Sequence, residues 1–365
     1  MQTRLQTFGV IGGTVALATT LASVNPSLTA QSSLDIDDND IGGVVRSQSG
    51  PEAGVWVIAE TNAFDTGFRK IVVTDSAGRY VLPDLPDASY QIWVRGYGLT
   101  DSARATASPG SLLDLQAMEA ATPQEAAQVY PANYWYSLVE VPSANEFPGT
   151  GENGNGISPT MRNQATWIDG LKQGCQLCHQ LGNQATRELL NPGDFDSTEA
   201  AWAHRVRVGQ RGAMMNGGLR RFGENRAVAM YADWTDRIMA GEVPSSPPRP
   251  QGLERNVVLS QWEWGGETGY IHDEIATDKR NPRVNAGGPV YGVEFANDRL
   301  VWVDPITNQA RDIPIPVRDI PGTGDFNSYI AQEMPESSLY WGDDLIWNNP
   351  GNPHNPMMDG QGRIW

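Results

Sequence analysis

Cysteine and histidine are scarce in this chain of 365 residues, which has two cysteines and four histidines. Both cysteines lie in the short stretch GCQLCHQ, as Cys175 and Cys178. Two cysteines this close in sequence cannot link distant segments. The chain is therefore not a disulfide-stabilised scaffold of the kind common among small secreted domains.

An excess of positive charge is also lacking, since the net charge is -17 at pH 7 and the pI is about 4.6. The acidic residues are spread along the chain and indicate a solvated surface. An acidic surface repels phosphate backbones, so we expect no nucleic acid partner.

Long hydrophobic runs are missing after the first 30 residues. The N-terminal segment has a basic residue, Arg4, a short apolar run from Phe8 to Leu21, and a small residue, Ala30, at a suitable cleavage position. This pattern predicts a signal peptide over residues 1–30. The alternative, a membrane anchor, needs a longer apolar run. We expect a periplasmic or secreted protein with no membrane segment in its mature form.

Short strand-like runs separated by turn signals occupy residues 41–122, with GVWVIAE, KIVVTD and YQIWVRGYG among them. Their spacing of roughly ten residues predicts an antiparallel β-sandwich. From Ile41 to Thr100 the pattern IGGVV, TDSAGRY and LPDASY resembles the carboxypeptidase regulatory-like, or transthyretin-like, domain. The resemblance implies a prealbumin-like sandwich that packs, spaces or binds and carries no catalysis.

A helical region is predicted over residues 158–243, after an aromatic-rich connector at 123–157. We expect one helix from Ser158 and Pro159, a second from Asp196, and a third over about 225–240 with an apolar stripe. The Pro-rich segment 244–255 is predicted to be a stiff linker.

The stretch Cys175–His179 has the form C-x-x-C-H, the attachment signature of c-type haem. Two thiols at this spacing can add to the two vinyl groups of the porphyrin, and His179 can then bind the iron. The motif has three alternative interpretations. Zinc needs further ligands from His204, His272 or His354, which form no H-x₃₋₅-H pair. A redox dithiol usually sits in a βαβ context, and a small structural disulfide is the third alternative.

With a helix leading into this motif and an aromatic-bearing helix at the end, residues 159–243 resemble the class I cytochrome c domain. The resemblance implies a methionine as the sixth iron ligand, in a loop before the last helix. Met215 is the first choice and Met214 the second, in a glycine-rich segment expected to be a loop. His204 is the rival ligand, whereas Met230 and Met239 are expected to pack.

The last segment, residues 256–365, is predicted to begin a β-propeller. VYGVEFANDRLVWVDPITNQARDIPIPV indicates three strands and two turns, and HNPMMDGQGRIW restarts a similar unit. Both resemble blades of streptogramin lyase-like propellers. Because one propeller needs several blades, we expect the natural chain to continue beyond this truncated start. The cluster His272, Asp273, Glu274 and Asp278 is interpreted as a polar loop rather than an acid/base or metal site.

Together these patterns predict a multidomain chain with a β-sandwich, an all-α cytochrome c domain and a partial β-propeller. The function hypothesis is a periplasmic electron-transfer component that carries covalent haem c and belongs to an oxidoreductase whose substrate site lies in the propeller. Its partner would be a redox protein or a small electron donor. The alternatives are a lyase-like or binding propeller with an accessory haem domain, and a haem-based sensor. No catalytic residue is assigned.

Overall fold

The computed structural model describes residues 34–176, 178–317 and 336–365. The predicted signal peptide, residues 1–30, lies outside this part. The described residues from Ile36 onward form one compact unit. The described residues contain several antiparallel sheets and seven α-helices, so a β-rich, multipart fold is present. No helix in the described ranges is long and apolar enough to cross a membrane.

Two five-stranded sheets form the N-terminal unit, hereafter the two-sheet unit. Residues 41–119 contain eleven strands: β1 Ile41–Ser47, β2 Gly50–Pro51, β3 Trp56–Thr61, β4 Gly67–Val73, β5 Arg79–Leu82, β6 Tyr90–Arg95, β7 Leu99–Thr100, β8 Ala105–Ala107, β9 Ser111–Leu112, β10 Leu115–Gln116 and β11 Met118–Glu119. Nine of them belong to the two large sheets, and β7 and β11 pair with each other in a separate two-stranded sheet. In one sheet β1 pairs with β2, β5, β9 and β10, and the other contains β4, β3, β6 and β8 in that order.

Side chains from both sheets share one buried core. Ile41 and Leu82 enter it from the first sheet, and Val57, Ile92 and Val94 enter it from the second, all fully buried. Strands β4 and β5 alternate half-buried and buried positions, as a sheet with one covered face requires, whereas β1, β3 and β6 are buried at several consecutive positions. The strands predicted between residues 41 and 100 are therefore present.

The fifth strand of the second sheet comes from far along the chain. Strand β12, Val258–Glu263, pairs antiparallel with β4, and Trp262 lies opposite Phe68 with the two rings 5.7 Å apart. The sequence interpretation placed this segment at the start of the propeller. The structure instead places it in the two-sheet unit, because β4 has an unpaired edge that a further strand can cover.

The connector and the Pro-rich segment both pack on the two-sheet unit. The connector forms the short helices α1 Pro123–Ala127 and α2 Ala132–Tyr136. In the Pro-rich segment, Arg249 forms an ion pair with Glu52 at 2.5 Å and donates to the Tyr97 carbonyl at 2.8 Å. The segment predicted as a stiff linker is therefore held along the sheet by polar contacts.

Five helices form the next region, hereafter the helical region: α3 Gln164–Gly174, α4 Gln184–Arg187, α5 Thr198–Arg205, α6 Gly212–Arg220 and α7 Glu224–Met239. The last of these matches the predicted third helix to within one residue at each end. Helix α3 begins later than expected, because the side chain of Asn163, rather than Ser158, accepts the first free N–H, from Thr166. Trp167, Trp234 and Met230 are buried in the core, but Met239, expected to pack, is 62% exposed.

A four-stranded antiparallel sheet follows, in the order β13 Ile271–Ile275, β14 Val290–Glu294, β15 Arg299–Asp304 and β16 Gln309–Pro314. The last three are the strands the sequence predicts. Strand β13 replaces the polar loop expected at His272. Near the end of the chain, Met357 and Trp365 exchange two backbone hydrogen bonds across the turn at Asp359. A single sheet of this kind is compatible with a blade, and the propeller itself stays a prediction.

Candidate functional site

The C-x-x-C-H motif lies at the end of helix α3. Cys175 is the residue that caps this helix, and the backbone N–H of His179 donates to the Cys175 carbonyl at 3.0 Å. This bond continues the chain through one further helical turn, so both thiols belong to a tight turn. The two cysteines are not joined in a disulfide. Leu177, between them, lies outside the described residues.

The second cysteine and the histidine are exposed to solvent on one side and close to protein atoms on the other. Cys178 and His179 are exposed to solvent, yet burial raises the pKa of the Cys178 thiol and lowers the pKa of His179. Both observations hold for a side chain that water reaches on one side and protein atoms surround on the others. A lowered pKa keeps the His179 imidazole neutral at pH 7, the form in which its ring nitrogen can bind a metal.

Arginines surround the motif although the chain as a whole is acidic. The charge of Arg221 opposes the effect of burial on the Cys175 pKa, and that of Arg211 does the same for Cys178. After burial, the charge of Arg205 is the second cause of the lowered pKa of His179. The region is therefore locally positive and favours a ligand with negative groups.

Two aromatic residues hold the first cysteine. The hydroxyl of Tyr231 donates to Cys175 Sγ over 3.8 Å, and the Tyr231 ring stacks on Trp202 with centroids 4.9 Å apart. Burial, followed by the nearby Cys175, raises the pKa of Tyr231, so this hydroxyl stays protonated and can donate. In the sequence Tyr231 only marked the apolar stripe of a helix, and the contact with the thiol could not be inferred from that pattern.

Both candidate methionine ligands lie on helix α6 instead of the expected loop. Met215 is half-buried against the core of the helical region, whereas Met214 is 53% exposed. Further along the helix, a Cβ atom added at Gly217 or Gly218 would meet no atom within 4 Å. The helix forms despite these glycines because Leu219 and Met215 pack on the core.

His204, the rival iron ligand, already has a partner. It lies on helix α5, and its Nδ1 is 3.3 Å from Glu336 Oε2. Its ring also lies 5.0 Å from the ring of Phe195. The contact with Glu336 involves Nδ1 alone and leaves Nε2 of His204 for a metal bond.

The thiols differ from those of a reactive dithiol. Burial raises the pKa of both Cys175 and Cys178, whereas redox-active cysteines have a lowered pKa. Zinc at the motif also lacks support among the described residues, because the one group of three metal-ligating side chains found in residues 34–176, 178–317 and 336–365 contains neither cysteine.

That group is His272, Asp273 and His354, whose ligand atoms all lie within 4.8 Å of one another. Nδ1 of His272 is 2.9 Å and Nδ1 of His354 is 3.5 Å from the same oxygen, Asp273 Oδ2. The other members of the predicted cluster lie apart from it. Glu274 is exposed, and Asp278 forms an ion pair with Arg280. His354 was missed because it lies far from His272 in sequence.

Tyr270 lies between the motif and this group. Burial, then the charge of Cys178 and then that of Asp273, raise the pKa of Tyr270, so both charges act on it. The Tyr270 ring is 5.5 Å from the His272 ring and stacks on Trp347 at 5.9 Å. The guanidinium of Arg211 lies over the same Trp347, 4.2 Å from the ring centroid. The helical region and the four-stranded sheet therefore meet beside the motif.

No protein-family model matches the chain, and no curated protein matches it. Among solved structures, the chain has a partial likeness to an N-terminal interface mutant of a type II cohesin–X-dockerin complex from Acetivibrio cellulolyticus. The two are 11% identical, and the match covers 32% of this chain and 79% of the other with a TM-score of 0.19. A likeness at this TM-score carries no argument about fold or function.

Proposed function

We propose that the chain is an exported c-type cytochrome that transfers single electrons as a component of a periplasmic oxidoreductase. The observation that carries this proposal is the C-x-x-C-H motif, in which both thiols are free of a disulfide and His179 is exposed to solvent. The relevant chemistry is the covalent attachment of a porphyrin to two thiols, with the following histidine on the iron.

The residues present fit a covalently bound haem. Cys175 and Cys178 would hold it through thioether bonds, and the neutral imidazole of His179 would bind the iron. The positive charges of Arg205, Arg211 and Arg221 favour a group that carries two propionate carboxylates. When bound, the haem would supply a one-electron redox centre. The work of the chain is to hold the motif in place through Tyr231 and the packing of α3 on α7.

Met215 is the proposed sixth ligand. It is preferred to Met214 because it is half-buried against the core rather than exposed. It is preferred to His204 because of the redox chemistry of the thioether. Thioether ligation raises the reduction potential relative to two histidines, which suits electron transfer.

Expression of the full chain in a bacterial host with a cytochrome c maturation system tests the attachment. We expect one haem per chain that remains bound after denaturation and acid extraction. The double variant Cys175→Ala/Cys178→Ala should lose all covalent haem. Cys178→Ala alone, as the matched control, should retain one thioether bond and show the absorption shift of a haem with one free vinyl group. If acid removes haem from the unmodified chain, the proposal is wrong.

The sixth ligand is tested by near-infrared absorption of the ferric protein. A sulfur-to-iron charge-transfer band is expected, and Met215→Ala should abolish it. Met239→Ala, a change at an exposed methionine on α7, should leave the band intact. If Met215→Ala has no effect and His204→Ala changes the spin state, the ligand is His204.

A second candidate function is a binding or lyase-like activity in which the haem region is accessory. The observation in its favour is the group His272, Asp273 and His354, next to Tyr270 and outside the helical region. Assays of haem reduction by candidate donors separate the two. Reduction by an organic substrate supports the first proposal, and product formation with unchanged haem absorption supports the second.

A further inference from the structure

A second group of ligating side chains lies at the start of the four-stranded sheet. His272 and Asp273 are neighbours on β13, and His354 comes from the loop before the last turn of the chain. Both histidines direct Nδ1 at Asp273 Oδ2, at 2.9 and 3.5 Å. The imidazole rings stack with centroids 4.8 Å apart and planes inclined by 24°. Two imidazoles and one carboxylate thus converge on one point.

The surroundings fix the orientation of each ligand. The backbone N–H of Asn355 donates to Asp273 Oδ2 at 3.0 Å, so the carboxylate is held from the side of the loop. The Phe295 ring lies 5.2 Å from the His272 ring and 5.3 Å from the His354 ring. Tyr270 packs edge-on against His272. Metal sites commonly have this arrangement, in which neighbouring hydrogen bonds and packing orient the ligands.

The donor atoms select the class of metal. Calcium and magnesium take oxygen ligands, whereas two imidazoles with one carboxylate suit Zn²⁺, Fe²⁺, Co²⁺ or Ni²⁺. Metal–nitrogen bonds of about 2.0–2.1 Å require ligand atoms a little over 3 Å apart, close to the two separations found here. Three protein ligands leave at least one position for water or a substrate oxygen.

We propose that His272, Asp273 and His354 bind a divalent transition-metal ion with an open coordination position. This site is independent of the haem motif, because the two have no ligand in common. With Tyr270 between the two, the chain would present a substrate to the metal beside a one-electron centre. An oxygen-bearing substrate, such as a carboxylate or a hydroxyl compound, has the chemistry that an open position on such an ion accepts.

Cobalt titration of the chelator-treated full chain tests the site. We expect one equivalent of Co²⁺ to give visible ligand-field absorption, and equilibrium dialysis to show one Zn²⁺ that competes for it. His354→Gln should weaken binding by more than about a hundredfold, because it removes a direct ligand and even the loss of a supporting contact costs about 10–100-fold. Asp312→Asn, a change at a carboxylate on β16 of the same sheet, should leave binding unchanged.

The same titration on Cys175→Ala/Cys178→Ala separates this proposal from the haem proposal. That variant should bind Co²⁺ as well as the unmodified chain does. Loss of binding in the double cysteine variant, or full binding by both His354→Gln and Asp273→Asn, would overturn the proposal. Far-ultraviolet circular dichroism of each histidine variant should match that of the unmodified chain, and His272→Gln provides a second test at β13 if His354→Gln does not fold.

Discussion

Strand β1 of the two-sheet unit and helix α6 of the helical region differ in how closely other atoms approach a glycine of their backbone. At Gly43, on β1, an added Cβ atom would lie 1.9 Å from the Leu113 carbonyl oxygen. At Gly217, on α6, an added Cβ atom would meet nothing within 4 Å. At Gly43 the neighbouring backbone therefore leaves no room for a side chain. Around Gly217, two residues beyond Met215, there is open space instead.

The largest effect is expected from a cavity in the two-sheet unit. Leu82→Ala removes a fully buried side chain from the shared core and should lower the free energy of unfolding by about 3 kcal/mol. Met214→Ala, at an exposed position of the helical region, should change it by no more than about 0.5 kcal/mol in the haem-free chain. Urea unfolding measures both. Equal losses would contradict the difference in packing.

The next effect comes from added volume at β1. Gly43→Ala places a methyl group against the backbone of Leu113, which cannot move without disturbing the sheet. Overpacking of this kind should cost about 2 kcal/mol of the free energy of unfolding. Gly50, with positive φ and open space around it, is unsuitable as a control because its conformation alone disfavours alanine. An unchanged unfolding midpoint for Gly43→Ala would show that the sheet is more adaptable than its geometry indicates.

On α6, replacing a glycine by alanine is expected to raise the free energy of unfolding instead of lowering it. Gly217→Ala meets no neighbouring atom and lies inside a helix, so it should raise the free energy of unfolding of the haem-free chain by about 0.5–1 kcal/mol. The same urea titration detects this gain. A loss of stability would mean that α6 forms against a surface that the alanine methyl disturbs.

The smallest effect concerns the thiols of the haem-free chain. Burial raises the pKa of Cys175 and of Cys178, so their thiolate fractions at pH 7 should be below that of a free cysteine, whose pKa is about 8.5. Because the thiolate is the reactive form, alkylation by iodoacetamide should be slower than for glutathione at pH 7 and should go on accelerating at pH values where the rate for glutathione has levelled off. Rates resolved by peptide mass spectrometry test this. Faster alkylation at pH 7 would indicate a dithiol-type site.

Local sequence patterns predicted the helices and strands of both regions better than they predicted which of these elements pair or pack together. The stripe Ala227, Tyr231 and Trp234 located helix α7, because helical periodicity is a property of neighbouring residues. The pairing of β12 with β4 was not predictable in this way, since the sequence of a strand does not indicate which sheet edge it pairs with. Helix α6 was also missed. The consecutive residues Gly217 and Gly218 lower the helix propensity of this segment, but the packing of Leu219 on the core stabilises the helix.

The site followed the same rule. Cys175, Cys178 and His179 could be proposed as haem-attachment residues from the sequence because that signature is defined by spacing, and their role stays a prediction. The arginines around them and the contact from Tyr231 to Cys175 depend on tertiary structure. Asp273 and Asn355 are 82 residues apart. Because the loop that brings His354 to β13 is so distant in sequence, no short ligand spacing indicated that His354 lies beside His272 and Asp273. The glycine-rich segment drew attention to Met214 and Met215 but did not predict their place on a helix, and their role as iron ligands stays a prediction.

The return of the chain to the two-sheet unit at β12 constrains the order of folding during synthesis. Arg69 and Glu263, which bond across β4 and β12, are 194 residues apart. The ribosome must therefore release the entire helical region before the second sheet can be completed, and contacts at such separation form slowly. A nascent chain that ends before residue 258 would expose the backbone edge of β4, a surface on which another copy can add a strand. Export of the chain before it folds, which the predicted signal peptide implies, would keep that edge from meeting other copies until the closing strand has been made.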